Sequence, residues 1–473
     1  MIRSALAALL VAAASPLAAQ SVAIVGGTVA LGDGSQPIEK GNVVIRNGKI
    51  VGAGYNFPVP ADAEVINASG KWVTPGIVAG FSRLGLAEVD LSMHEEEGSG
   101  GSQETSGSAD DSTSNGPFSA AIDVVPAINP LNSTIAVNRA DGVTRAIVAP
   151  NPGRSIFAGQ GAVIDLGADL DPVTARRRFQ FVELGQAGAE NAGGSRASAH
   201  VLFRNALREA AELQRFAVPI SSGGRPDSGS EDIIRDPNES RLVGPNARRS
   251  EDVLLTRFDA AALVPVLQGR QYLLVHVERA SDILQVIRLR REFPSLKIVI
   301  VGATEGWTVA DKIAASGIPV IASAANDLPA SFEMLAATWS NVGRMRNAGV
   351  KVSIGMIDDN DTRYLFNERQ YAGNLVGLAR VPGATGVSWG EALAMLTSGP
   401  AETIGLGNQI GSLKAGRRGD VVIWSGDPLE MTSNVDAVWI DGVRQPIESR
   451  QTKLRDRYRD LTPNTLPEAY RRN

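Results

Sequence analysis

The sequence predicts an α/β protein: a closed (β/α)8 barrel of the TIM type over residues 77–395, beside a small β-module drawn from both chain ends. Two observations carry this. Apolar strand-like runs alternate with amphipathic segments through most of the chain, and short strands with Gly-rich turns occur both before and after that stretch. Such alternation calls for parallel strands joined by crossover helices, and the number of units favours a closed barrel over an open sheet.

In chain order, residues 21–72 hold the runs SVAIVGGTVA, GNVVIRNGKIVGAG and AEVINASGKWV, punctuated by Gly and Asn-Gly signals, which predict a small antiparallel module. Gly48 and Gly442 stand in Asn-Gly and Asp-Gly pairs that supply the positive φ of hairpin turns. Pro75-Gly76 launches the first barrel strand. The barrel order is clearest after residue 260, where YLLVHVE, KIVIVGA, IPVIASA and VKVSIGM alternate with helical patterns such as SDILQVIRLRREF and TVADKIAASG. Two polar stretches, 87–117 and 222–252, read as insertions. The runs GDVVIWSGDPLE and VDAVWIDGVRQ then return to strands and turns, so residues 21–76 and 396–446 are expected to build one module, followed by a polar tail at 447–473.

Bulk properties narrow the function. Hydrophobic content of 43% and charged content of 21% suit a chain that buries a sizeable core, and a net charge of −5 argues against nucleic acid as a partner. The opening MIRSALAALLVAAASPLAAQ has a basic start, an apolar run and a small-residue site, the order of a secretory signal peptide spanning residues 1–19. Its apolar run is shorter than the roughly 20 residues of a membrane span, so the expectation is a periplasmic or secreted chain with no membrane partner. The absence of cysteine rules out disulfides, thiolate catalysis and thiolate metal ligation.

GNVVIRNGKIVGAG at 41–54, then KWVTPGIVAGFSRLG, and IGLGNQIGSLKAGRRGDVVIWSGDPL at 404–429 resemble the amidohydrolase superfamily, in particular its imidazolonepropionase-like branch, over about residues 21–445. The resemblance implies a (β/α)8 barrel with a β-sandwich built from both ends. It also implies hydrolysis of C–N bonds in cyclic amides or dipeptide-like substrates. Members of the superfamily hold one or two zinc ions with a His-x-His on strand 1, a lysine or glutamate on strand 4, histidines on strands 5 and 6 and an aspartate on strand 8. The metal lowers the pKa of a bound water to roughly 7 and the aspartate takes its proton.

This sequence departs from that set. Phe81 and Arg83 stand where strand 1 would carry its histidines. A phenyl ring cannot ligate, and a guanidinium repels a dication. No lysine lies between Lys71 and Lys297, so strand 4 can offer only Glu183. His276 matches the strand 5 ligand, Gly302 stands near the strand 6 ligand, and Ile357 or Asp358 near the strand 8 aspartate. Two further histidines, His94 in the 87–117 insertion and His200 in a helical run, do not rebuild a two-metal site. The run GRSIFAGQGAV at 153–163 lacks the strand–glycine–helix context of a phosphate loop.

Two readings stay open. In one, the chain has lost its metal site, takes no cofactor from its retained residues, and binds a small-molecule ligand or pairs with an active relative or a second copy of itself. In the other, it remains a hydrolase with a single-metal or metal-free site around His276 and Asp358. In either, Arg83 is expected to hold an acidic ligand through its planar fork or, alternatively, to pair with a nearby carboxylate such as Glu183 or Asp358 and fill the void.

Overall fold

Both chain ends and the barrel stretch become two separate eight-stranded sheets. The computed structural model describes residues 21–86, 116–216, 254–324, 326–357, 363–448 and 450–459. The expected leader, His94, the 222–252 insertion, nearly all of the 87–117 insertion, Asp358 and the end of the tail lie outside the described residues.

The N-terminal strands are β1 (Ser21–Val29), β2 (Ile38–Arg46), β3 (Lys49–Tyr55), β4 (Glu64–Asn67) and β5 (Trp72–Pro75). Barrel strands β6 (Ile77–Ser82), β7 (Val143–Val148), β8 (Phe157–Asp165), β9 (Val173–Glu183), β10 (Tyr272–Val277), β11 (Lys297–Gly302), β12 (Val320–Ala322) and β13 (Val352–Ile354) lie side by side in sequence order. The chain then returns to the first sheet as β14 (Val421–Trp424), β15 (Val435–Ile440) and β16 (Val443–Gln445). The pairing of β14 antiparallel to β5, from Val421 opposite Pro75 to Trp424 opposite Trp72, joins the two ends. Both hairpin turns are as expected, with φ of 53° and 73° at Asn47 and Gly48 and 51° and 76° at Asp441 and Gly442.

One barrel strand runs the other way. The expectation of uniformly parallel strands fails at β8, which is antiparallel to both β7 and β9, while the remaining ladders are parallel. The cause is length. Connections 149–156 and 166–172 are shorter than the roughly dozen residues a parallel crossover needs. The glycines of the 153–163 run serve packing there: a Cβ on Gly161 would overlap the Phe179 ring.

Helices fill the other connections: α1 (Ser133–Ala140) after β6, then α2 (Gln186–Asn191), α3 (Arg196–Phe216) and α4 (Arg257–Leu267) between β9 and β10. Further along come α5 (Ala280–Glu292), α6 (Ala310–Ser316), α7 (Asn341–Asn347), α8 (Asn367–Leu378), α9 (Trp389–Met395), α10 (Ser398–Thr403) and α11 (Arg450–Arg459). In α5 the apolar residues Ile283, Val286 and Leu289 recur at helical spacing and are buried, which fixes the face turned to the barrel. Helix α9 starts on a capping box in which Ser388 and Glu391 satisfy each other's backbone N–H groups. None of the described helices is long and apolar enough to cross a membrane.

Strand parity sorts the core into two layers. On β10, Leu273, Val275 and Val277 join the cluster shared with the helices, whereas Leu274 joins the one inside the barrel with Phe179, Phe181, Val299, Val301 and Ile321. The barrel is nearly closed: where the sheet order ends, the Met356 N–H donates to the Phe81 carbonyl at 3.1 Å. At the junction with the terminal sheet, fully buried Arg145 forms ion pairs with Asp420 at 2.9 Å and Asp441 at 2.8 Å.

Candidate functional site at the barrel mouth

The C-terminal ends of parallel barrel strands are where such folds keep their chemistry. Glu183 is the last residue of β9 and sits directly opposite His276 of β10 in the ladder. Both face inward by the same parity as Phe181 and Leu274. Two residues further on, and therefore on the same side, comes Glu278. His276 bridges the two carboxylates: Nδ1 lies 2.7 Å from Glu183 Oε2, and Nε2 lies 2.9 Å from Glu278 Oε1.

A carboxylate can only accept, so both ring nitrogens donate and the ring is an imidazolium. Burial works against its charge, but Glu183 and Glu278 outweigh that, and the His276 pKa lies well above the usual histidine value. Glu278 is 2% exposed. Burial raises its pKa, yet the hydrogen bonds from His276 and from the Thr304 N–H, the latter at 2.7 Å, hold it below the ordinary glutamate range. Gly302 makes this possible. Its φ is 92°, and a Cβ there would overlap the Glu278 carboxylate.

A third carboxylate closes this side. Glu333 accepts from the Gln186 N–H at 2.7 Å and from Arg196 Nη2 at 2.9 Å, and Arg196 also binds Asp282 at 2.9 Å. Gly185 lies between Glu333 and Glu183, since a Cβ on it would come within 3.0 Å of Glu333 and 3.4 Å of Glu183. Burial raises the Glu333 pKa, against the opposing pull of its partners.

The other half of the mouth is hydrocarbon. A register shift between Ala79 and Ser82 gives β6 an extra residue relative to β7, and this bulge lets Phe81 join the inner cluster with Val78. The Phe81 ring is 1% exposed and stands 5.2 Å from Phe181, centroid to centroid. Ile357 packs on the same cluster, and Gly355 leaves the room that Phe81 takes.

Of the residues singled out in the sequence, Glu183, His276 and Gly302 meet on one side and Phe81 and Ile357 on the other. Arg83 follows the last residue of β6 and is 8% exposed. Asp358 is outside the described residues. His200 is away from the mouth on α3, with Nδ1 3.3 Å from Arg204; burial and Arg204 depress its pKa. Glu278, Thr304 and Glu333 were missed by sequence reasoning. For Glu278 a signal existed, the alternation of Leu274, His276 and Glu278. Glu333 and Thr304 arrive from later segments of the chain, with no local pattern to announce them.

A sequence model described as the amidohydrolase family matches residues 316–444. The chain is 25% identical over 433 residues to the amidohydrolase tasK of Hapsidospora irregularis, covering 86% of this chain and 40% of that one. It is 25% identical over 433 residues to the imidazolonepropionase of Maricaulis maris (strain MCS10), covering 89% of this chain and 94% of that one. An amidohydrolase from Thermotoga maritima MSB8 shares the fold, with a TM-score of 0.70 at 23% identity over 91% of this chain and 100% of its own. Together these comparisons support membership of the amidohydrolase superfamily. The chain spans 40% of the length of tasK.

An amidohydrolase is expected to bind zinc at this mouth, and the donors present can be tested against that. Zinc needs lone pairs from imidazole and carboxylate converging at about 2.0–2.2 Å. Here the two nitrogens of His276 both carry protons directed at carboxylates, and Phe81 and Ile357 offer no donor. Among the described residues, no group of three or more His, Asp or Glu side chains is arranged to hold a metal ion. The described donor set does not fit zinc.

Proposed function

We propose that this chain is an exported amidohydrolase-superfamily member whose own metal centre has been lost, and that it works as a binding subunit beside an active relative. The observation that carries this is the double bond of His276. The one histidine at a family ligand position gives both nitrogens to Glu183 and Glu278, so it has no lone pair for a metal or for base catalysis, and no free N–H for a substrate. A raised pKa also makes it a poor acid at neutral pH.

One further point supports the partner role: the segment that sends Glu333 inward turns Phe332 and Leu335 outward, 85% and 65% exposed. Export rests on the first twenty residues alone. Arg83 is the group assigned to an acidic ligand at the mouth.

Elemental analysis of the full chain, purified without chelator, tests the reading. The expected result is far less than one zinc per chain and no C–N hydrolysis until a relative is added. One or two tightly held zinc ions per chain, or hydrolysis of cyclic amides by the chain alone, would overturn it.

A further inference from the structure

The N-terminal face of the barrel, opposite the mouth, holds a cavity of about 410 Å³. Its walls are the starts of β10, β12 and β13 together with α9 and α10, and the Asp33–Gly34 turn of the terminal sheet borders it. This volume lies in the range of small-molecule sites, about 300–1,000 Å³, and well above a packing void. The floor is polar. Ser353 Oγ, on a residue 1% exposed, lies 3.3 Å from Thr403 Oγ1, which itself donates to the Gly399 carbonyl at 2.9 Å.

Charge selects the ligand. Of the carboxylates lining the cavity, Asp33 is neutralised by Lys414 at 3.1 Å and Glu391 by Arg346 at 3.0 Å. Glu402 then stands against Lys351, which lines the cavity and meets no carboxylate among the described residues. Two further cations behind the wall tip the balance: Tyr272 lines the cavity, and Arg178 and Lys297 stand 5.3 and 5.5 Å from the centre of its ring. Arg178 spends its hydrogen bonds on the carbonyls of Ile404 and Gly405, and neither cation meets a carboxylate among the described residues. The Nε of Arg346 is buried with no hydrogen-bond partner.

We propose that this cavity binds a small organic carboxylate, its charge held by Lys351 and its neutral oxygens by the hydroxyls of Ser353 and Tyr272. The site lies on the opposite face from His276 and does not rest on the reading of the mouth.

The test is titration calorimetry of the full chain at constant ionic strength with succinate, citrate and inorganic phosphate as probes. Succinate or citrate should bind saturably, and Lys351→Ala should weaken that binding by about tenfold. Glu402→Gln, which removes the remaining like charge, should tighten it by about threefold. Ser353→Leu should fill the floor and abolish it; because that residue is buried and its variant risks misfolding, the exposed Lys351 remains the deciding position. No saturable binding by either carboxylate, binding of phosphate alone, or equal affinity in Lys351→Ala would each overturn the proposal.

Discussion

The two halves of the barrel mouth fill their strand-end positions in opposite ways. On the β9–β11 side the polar residues remain, but they satisfy one another: a cation between two anions, with the Thr304 N–H on the outer oxygen. On the β13–β6 side, Phe81 and Ile357 fill the space with hydrocarbon, continuous with the layer of Phe181 and Ile321. A metal centre would join strands across the barrel through one ion. Here the ionic half ties β9, β10 and the turn after β11, and the apolar half is held by packing, so each side is stabilised by its own physics. A strand-end position at this mouth that offers no metal ligand is therefore not left empty: it is filled by charge pairing where polar groups stand and by volume where they do not.

The largest effect should come from the apolar half. Phe81→Ala opens a cavity in a close-packed layer and should cost about 3–5 kcal/mol in urea unfolding. The His276 ring should stay protonated in that variant, since its partners lie on the other side. Loss of the imidazolium in Phe81→Ala would break the separation of the two halves.

Next, His276→Ala leaves Glu183 and Glu278 facing each other with no cation, which should destabilise the fold by about 3 kcal/mol. Glu278→Gln keeps the shape and removes one charge, for about 1–2 kcal/mol. It should also lower the pKa of His276, because one of the two opposing charges is gone. If the halves are independent, Phe81→Ala and Glu278→Gln should be additive to within about 0.5 kcal/mol; a larger coupling energy would show that the mouth behaves as one unit.

The smallest effects are in the pH dependence, where two histidines should act in opposite directions. His276 has a folded pKa raised well above 6.5, so its contribution to stability is fully present below that value and is lost as the pH rises through the folded pKa. His200 has a depressed pKa, so its contribution is present above about pH 6.5 and is lost as the pH falls towards the folded pKa. Urea titrations of His276→Gln and His200→Gln across pH 5–9 separate the two. Similar slopes for both variants would contradict the assignment.

Much of the architecture was legible in the sequence, for reasons that can be named. The Asn47-Gly48 and Asp441-Gly442 turns announce themselves because few residues adopt positive φ. Alternating apolar runs give the strands. Direction is not written in an apolar run, and the general expectation of parallel strands failed at β8, whose short connections carried the information. At the mouth, Glu183 and His276 were visible as strand-end polar residues. The Glu278 carboxylate was visible only through strand parity, and its match to Gly302 only in three dimensions: a glycine with φ of 92° looks in sequence like a lost ligand, whereas in space it is the room another side chain needs. Glu333 comes from a segment some 150 residues after Glu183, and such long-range meetings have no local signal.

The central claim is that His276 is a cation held by two carboxylates. Nitrogen NMR of the full chain, labelled in histidine, reads this directly, because a protonated ring nitrogen and a nitrogen with a lone pair differ in chemical shift. The expected spectrum shows both His276 nitrogens protonated at neutral pH and at mildly alkaline pH, unchanged when zinc is added. A ring that titrates near pH 6.5, or a nitrogen that shifts on addition of zinc, would contradict the account.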